Sequence, residues 1–136
     1  MYWTDNGNEP RIEKASMDGS SRTVIHATNL TDPYGITLDI GTQTLYWTDY
    51  SRDVLESSSV DGTNRKILTS RMLLYPFYLS FYDGHLYWGD LSYNRILSTH
   101  ISAPDNVVFI GSYSSYAYYG IQVISSDLQQ EGKELH

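Results

Sequence analysis

The sequence predicts an all-β fold, namely a partial β-propeller of about three four-stranded blades that is incomplete at the N-terminus. The first observation is a repeated tetrapeptide, Tyr-Trp-Thr-Asp at residues 2–5 and 46–49 and Tyr-Trp-Gly-Asp at residues 87–90. A period of about 40 residues is typical of propeller blades or helical arrays. The second observation is that each copy is rich in aromatic and β-branched residues and is followed by turn-forming residues, mostly Asp-Gly. These features favour strands joined by hairpins over paired helices.

The second copy shows the four strands of one repeat most completely. Strand one covers residues 34–40, where Ile36, Leu38 and Ile40 alternate with small or polar residues. Strand two covers residues 44–49, and its Leu45 and Trp47 face one way while Tyr46 faces the other. Bulky side chains on both faces predict a sheet that is covered on both sides, as stacked blades are. Strands three and four follow at residues 54–60 and 65–69.

The first and third copies follow the same strand order, but parts of the pattern are missing. In the first copy, residues 11–17 and 22–26 supply strands three and four, and strand one would precede Met1. In the third copy, the four strands are predicted at residues 77–81, 84–90, 95–101 and 107–110, and a further strand one at 119–124. The predicted organisation is therefore a propeller region at residues 1–124, with repeats near 2–45, 46–86 and 87–124, and a polar tail or linker at 125–136.

Composition narrows the classes of function. The net charge of −7 argues against nucleic acid as a partner. The chain has no cysteine, so no disulfide or thiolate metal site is expected. Met1 leads directly into a repeat without a signal peptide, and no apolar run is long enough to span a bilayer. The triplet at residues 29–31 makes Asn29 a predicted glycosylation site, which has meaning only in a secreted protein.

Three features together resemble the class B repeat of the low-density lipoprotein receptor family. They are the Tyr-Trp-Thr-Asp motif, the Asp-Gly-Ser/Thr-x-Arg segments at residues 18–22 and 61–65, and the Pro-x-Gly-Ile segment at residues 33–36. The third copy departs by Gly89 and by Ala-Pro-Asp-Asn in place of Asp-Gly. The resemblance implies a six-bladed ring of which this chain is the C-terminal half. It also implies an extracellular, non-catalytic ligand-binding module, as in lipoprotein-receptor-related endocytic receptors and Wnt co-receptors.

The repeated motif is expected to be structural. Its aromatic rings carry enough surface to fill the gap between two blades, and its hydroxyl and carboxylate groups can bond to backbone at the strand end. The motif residues are Tyr2, Trp3, Thr4, Asp5, Tyr46, Trp47, Thr48, Asp49, Tyr87, Trp88 and Asp90.

Ligand binding is expected at one end of the blades. The turns at residues 41–43, 61–62 and 83–84 should share one face, which we call the turn face. The longer loops after each tetrapeptide and between repeats should share the opposite face, the loop face, which is rich in Tyr, Arg and Asn. About half of its aromatic residues could instead cap the blades. The predicted ligand-binding residues are Tyr34, Tyr50, Arg52, Tyr75, Phe77, Tyr93, Arg95, Tyr118 and Tyr119.

Enzymatic function is disfavoured by the motifs. The four histidines lack metal-ligand spacing, and neither a nucleophile elbow nor a phosphate-binding glycine loop is present, so no metal or cofactor is expected. The expected partner is a protein ligand or a neighbouring receptor module, and a membrane is involved only through the parent receptor. Two alternatives stay open, a matrix protein of the nidogen type and a metal-dependent six-bladed propeller hydrolase. Two copies could also complete one ring as a homodimer, each donating residues 119–124.

Overall fold

The computed structural model describes residues 1–71, 73 and 75–112 of the chain. These residues form eleven strands in three antiparallel sheets, which we call blades 1, 2 and 3 in chain order. No helix among them is long and apolar enough to cross a membrane. The all-β prediction is confirmed, and the predicted strand at residues 119–124 and tail at 125–136 lie outside the described residues.

Each blade follows the strand order that the repeats predict. In blades 2 and 3, consecutive strands are neighbours, and the described part of blade 1 contains the last three strands of the plan. Blade 1 consists of β1 (Tyr2–Asp5), β2 (Arg11–Lys14) and β3 (Thr23–His26). Blade 2 consists of β4 (Pro33–Asp39), β5 (Thr44–Asp49), β6 (Val54–Ser59) and β7 (Lys66–Thr69). Blade 3 consists of β8 (Pro76–Tyr82), β9 (His85–Asp90), β10 (Arg95–His100) and β11 (Val108–Ser112).

The largest difference from the predicted boundaries is at β2, which was expected to continue to residue 17 and ends at Lys14. The chain turns earlier because local hydrogen bonds satisfy its backbone. The Gly19 amide donates to the Ser16 carbonyl at 3.0 Å, and the Asp18 carboxylate accepts from both the amide and the hydroxyl of Ser20. Such aspartate turns compete with strand pairing.

The tetrapeptide rings fill the gaps between blades, and they do so with a fixed direction. Trp47 of blade 2 is fully buried with Leu45 against Ile12 of blade 1. Tyr46, its neighbour in sequence, faces blade 3, where its ring stacks on Phe81 at a centroid distance of 5.5 Å. Trp88 packs back into the cluster that contains Tyr46. At both described contacts between blades, the tryptophan thus faces the preceding blade and the tyrosine faces the following one.

Blades 2 and 3 approach closely at their first strands. β4 contacts β8, and a side chain added at Gly35 would place its Cβ 2.7 Å from the Leu79 backbone nitrogen. Both strands carry a bulge at this level, after Pro33 and after Phe77. Gly35 is therefore required for the close contact between the two strands, because a glycine allows the backbones to approach.

His26 at the end of β3 contributes to the contact between blades 1 and 2. Its ring lies 5.2 Å from the Trp47 ring, and Nε2 is 2.9 Å from the Ser58 hydroxyl. Burial lowers the pKa of His26, and the positive charge of Arg65 lowers it further, against a smaller opposite effect of Glu56. The folded chain therefore favours the neutral imidazole.

The lowered pKa of His26 predicts that the stability of the fold depends on pH. The unfolded chain binds a proton at His26 near pH 6.5 and the folded chain only at lower pH, so the free energy of unfolding should fall as pH drops below about 6.5. Urea denaturation at pH 7.5 and pH 5.5 measures the change. His26→Gln should show a smaller decrease between these two pH values, because the variant lacks the imidazole that gains the proton on unfolding. The carboxyl groups of Glu13, Asp18 and Asp61 have lowered pKa values and titrate below this pH range, so they do not mask the difference. Identical decreases in both proteins would contradict the assignment.

Candidate ligand-binding face

The polar groups of the tetrapeptide order the loop face. The buried Asp49 carboxylate accepts hydrogen bonds from the Thr31 and Asp32 amides at 2.8 and 3.1 Å, and these residues lead into β4. The Thr48 hydroxyl accepts from the Gly35 amide at 3.0 Å. A buried carboxylate is stabilised by such amide donors, and the donors are fixed in turn. Asp49 therefore holds the loop between blades 1 and 2 in one conformation.

Asp90 performs the same task in blade 3. Its buried carboxylate accepts from the Tyr75 amide at 3.1 Å and from the amides of Ser92 and Tyr93 at 3.0 and 3.3 Å. It thereby connects the segment before β8 to the turn after β9. Asp5 is exposed and bonds to the Gly7 amide at 2.9 Å. The motif aspartates of blades 2 and 3 thus set the backbone on which the loop-face side chains are carried.

A buried ion pair behind the motif was missed by the sequence reasoning. Glu56 lies opposite Trp47 in the β5–β6 register and is 2% exposed. Arg65 donates from Nε to Glu56 at 2.6 Å, and its guanidinium lies 5.3 Å from the centre of the Trp47 ring. Blade 1 repeats the arrangement, since Arg22 donates from two nitrogens to the two carboxylate oxygens of Glu13 and its guanidinium lies 5.4 Å from the centre of the Trp3 ring. A glutamate nine residues before the motif arginine was the available sequence signal.

Four aromatic rings meet on the loop face. Tyr34 lies 4.6 Å from Phe77 and 6.4 Å from Tyr50, and Tyr50 lies 4.7 Å from Tyr75. These residues come from both sides of the contact between blades 2 and 3. Tyr34 and Tyr75 remain 40% and 42% exposed. We call this group, Tyr34, Tyr50, Tyr75 and Phe77, the aromatic shelf.

A cavity of about 370 Å³ opens beside the aromatic shelf and is lined by Tyr50, Ser51, Asp53, Tyr75 and Ser92. The pKa of Tyr50 is raised to about 12, chiefly by a hydrogen bond with Tyr75, with smaller effects of burial and of neighbouring negative charge that includes Asp32 and Asp53. The Tyr50 phenol is therefore neutral at physiological pH. Tyrosine and serine hydroxyls, two aromatic rings and one carboxylate therefore line the cavity.

The other predicted site residues fall into separate environments. Tyr93 and Arg95 surround Phe109, with the Tyr93 ring 5.9 Å and the Arg95 guanidinium 5.1 Å from the Phe109 ring centre. Arg52 binds the Glu56 carboxylate and donates to the Asn29 carbonyl at 2.7 Å. The predicted binding residues Tyr118 and Tyr119 lie outside the described residues.

Asp32 and Asp53, which were not among the predicted ligand-binding residues, lie close to the aromatic shelf. The Tyr50 amide donates to the Asp32 carbonyl at 2.9 Å, and the Asp53 amide donates to the Tyr50 carbonyl at 3.3 Å. Asp53 has a φ of 50° and ends the turn after β5. Their presence in loops between strands was the sequence signal, but charge alone does not distinguish a binding residue from a solvated turn residue.

The histidines of blade 3 form a contact on the turn face. The rings of His85 and His100 meet edge to face at 4.7 Å, and the Ser102 amide donates to Nδ1 of His100 at 3.2 Å. Among the described residues, no group of three or more His, Asp or Glu side chains is placed to hold a metal ion. Asn29 is exposed with a φ of 50°, and its glycosylation stays a prediction.

Comparison with known proteins agrees with this architecture. Residues 1–40 match the family model described as low-density lipoprotein receptor repeat class B. The chain is 34% identical over 120 residues to vitellogenin receptor Yl of Drosophila melanogaster, covering 88% of this chain. It is 32% identical over 99 residues to the human low-density lipoprotein receptor-related protein 5-like protein, covering 73% of this chain.

A solved structure shows the same fold. A chain in the crystal structure of a nidogen/laminin complex superposes with a TM-score of 0.53 and 29% identity, over 76% of this chain and 56% of that chain. The present chain spans 6% of the Drosophila relative and 39% of the human one. With the three sheets and their directional Tyr-Trp contacts, these matches show that the chain is built from low-density lipoprotein receptor class B repeats and forms part of a propeller of that type.

Proposed function

We propose that the chain is a non-catalytic ligand-binding module from the extracellular part of a receptor, and that a protein ligand binds its loop face. The observation that carries the proposal is the aromatic shelf. Tyr34 and Tyr75 are large, half-exposed aromatic side chains that both contact the Tyr50 ring, and they are carried on backbone that Asp49 and Asp90 fix. Rigid aromatic groups of this kind dominate the energetics of protein interfaces, because they bury much surface at a small cost in conformational entropy.

The similar proteins support the same proposal. The Drosophila relative is named as a receptor, the human one as similar to a receptor-related protein, and the solved structure as a nidogen/laminin complex. A lipoprotein-receptor-related endocytic receptor or Wnt co-receptor is the parent that we propose. In such a parent this propeller lies outside the cell, where Asn29 on the loop face could carry a glycan. Tyr93, Arg95 and Phe109 would extend the binding surface across blade 3.

The test is a comparison of the two faces. Peptides selected from a random display library on the purified full chain serve as ligands, and fluorescence anisotropy measures their affinity. Tyr75→Ala on the loop face should weaken the selected peptides by about tenfold or more, as an interface hot spot does. Ile40→Ala removes an apolar side chain that is 76% exposed beside the turn face, so it is the matched control and should change affinity less than about twofold. Loss of binding confined to Ile40, Asp18, Asp61 or Asp83 variants would overturn the proposal.

The likeness to a chain in the nidogen/laminin complex favours a second candidate, a matrix protein of the nidogen type. Surface plasmon resonance with purified laminin separates the two. Saturable binding that Tyr75→Ala abolishes would favour the matrix protein, whereas a receptor module for another ligand should show no saturable laminin binding.

A further inference from the structure

The aromatic shelf is bordered by two carboxylates. Asp53 is exposed and lines the cavity of about 370 Å³ together with Tyr50 and Tyr75. The Asp32 carbonyl accepts a hydrogen bond from the Tyr50 amide, and the Asp32 carboxylate accepts one from the Ser51 hydroxyl. Both carboxylates are close enough to the Tyr50 phenol to contribute to the rise in its pKa. Negative charge and aromatic ring faces are therefore presented together at one opening.

The positive charge nearest in sequence is already bound elsewhere. Arg52 stands between Ser51 and Asp53 in the chain, but its guanidinium binds the buried Glu56 carboxylate and the Asn29 carbonyl. Its side chain is 26% exposed and lies 3.9 Å from the Asp49 carboxylate, so its charge is directed into the blade. Arg52 therefore leaves the cavity opening with an excess of negative charge.

We infer that the cavity beside the aromatic shelf receives a basic side chain, lysine or arginine, of the protein ligand. A cation over Tyr50 and Tyr75 is attracted by the ring faces, and the same cation can pair with Asp53. The cavity is near the lower end of the range for ligand sites, about 300–1000 Å³, which suits one long side chain. The net charge of −7 would also raise the rate of encounter with a basic partner. This inference rests on the proposed function and names the chemistry that the loop face selects.

The test uses two tripeptides on the full chain. The probe is acetyl-Ala-Lys-Ala-amide, and acetyl-Ala-norleucine-Ala-amide is the control, since norleucine resembles the lysine stem and lacks the charge. Tyrosine fluorescence or NMR shifts measure binding. The lysine peptide should bind at least about fivefold more tightly than the control, and raising the salt from 50 to 500 mM should weaken it.

Matched carboxylate variants locate the site. Asp53→Asn should weaken the lysine peptide by about fivefold or more, whereas Asp61→Asn, which changes an exposed turn aspartate on the opposite face, should leave the affinity within about twofold. Equal binding of both peptides, no binding of the lysine peptide, or equal effects of the two variants would overturn the inference.

Failure of this inference is distinguishable from failure of the proposed function. If library peptides without lysine or arginine bind and lose affinity with Tyr75→Ala, the loop face is the binding surface and the inference of a basic ligand side chain is wrong. If the affinity of the library peptides is unchanged by Tyr75→Ala and reduced by turn-face variants, the proposed function itself is wrong.

Discussion

Trp47→Ala should lower the free energy of unfolding by about 3–5 kcal/mol, the range for removing a large aromatic side chain from a packed core. The side chain is fully buried between blades 1 and 2, where it contacts Ile12, the His26 ring and the Arg65 guanidinium. The neighbouring sheets cannot close over the space without breaking their own pairing, so a cavity should remain. Urea denaturation monitored by circular dichroism measures the change.

Tyr75→Ala is the matched control, since it removes another large aromatic ring that is 42% exposed. Its cost should be below about 1 kcal/mol, because substitutions of exposed side chains rarely cost more. Trp47→Ala with the same denaturation midpoint as the wild type would show that the contact between blades does not depend on the motif tryptophan.

Arg65→Met should cost about 3 kcal/mol, because it leaves the buried Glu56 carboxylate with Arg52 alone and removes two further hydrogen bonds. The Arg65 guanidinium donates to the carbonyls of Thr28 and Asn29 at 2.6 and 2.8 Å, and its side chain is 19% exposed. The change therefore weakens both the blade and the loop that connects it to blade 1. Chemical denaturation at neutral pH measures the cost.

Blade 3 supplies the control for this second prediction. Leu97 occupies the position opposite Trp88 that Glu56 occupies opposite Trp47. The double variant Glu56→Leu with Arg65→Met should therefore recover part of the loss, since an apolar pair of similar size can replace a buried ion pair. A double variant less stable than Arg65→Met alone would show that Glu56 keeps a role that this ion pair does not explain.

The repeats were sufficient to predict the blades and the opposite facing of the two motif rings, but not which ring faces the preceding blade. The alternation of Leu45, Tyr46 and Trp47 predicted opposite faces, and the two rings indeed enter different gaps. Strand ends were less predictable, as at β2, because a side chain such as Asp18 can satisfy backbone amides without a partner strand. Local hydrogen bonding of this kind is invisible to a pattern of alternating polarity.

The candidate site was predictable only as a list of residue types. Tyr34, Tyr50, Tyr75 and Phe77 do come together, but the same reasoning included Arg52, whose charge the structure directs to Glu56. The sequence pattern around a loop arginine is the same whether the side chain faces a ligand or a buried carboxylate. What distinguishes the two is the position of Glu56 opposite Trp47, which depends on strand register.

The fixed direction of the Tyr-Trp contacts gives a blade two different faces, one that presents the motif tryptophan and one that presents the motif tyrosine. In both described contacts, the tryptophan side of one blade packs on the tyrosine side of the blade before it. Blade 3 has Leu97 in place of the glutamate and keeps Trp88 fully buried. The tryptophan contact between blades is therefore compatible with either a buried ion pair or an apolar side chain opposite the ring.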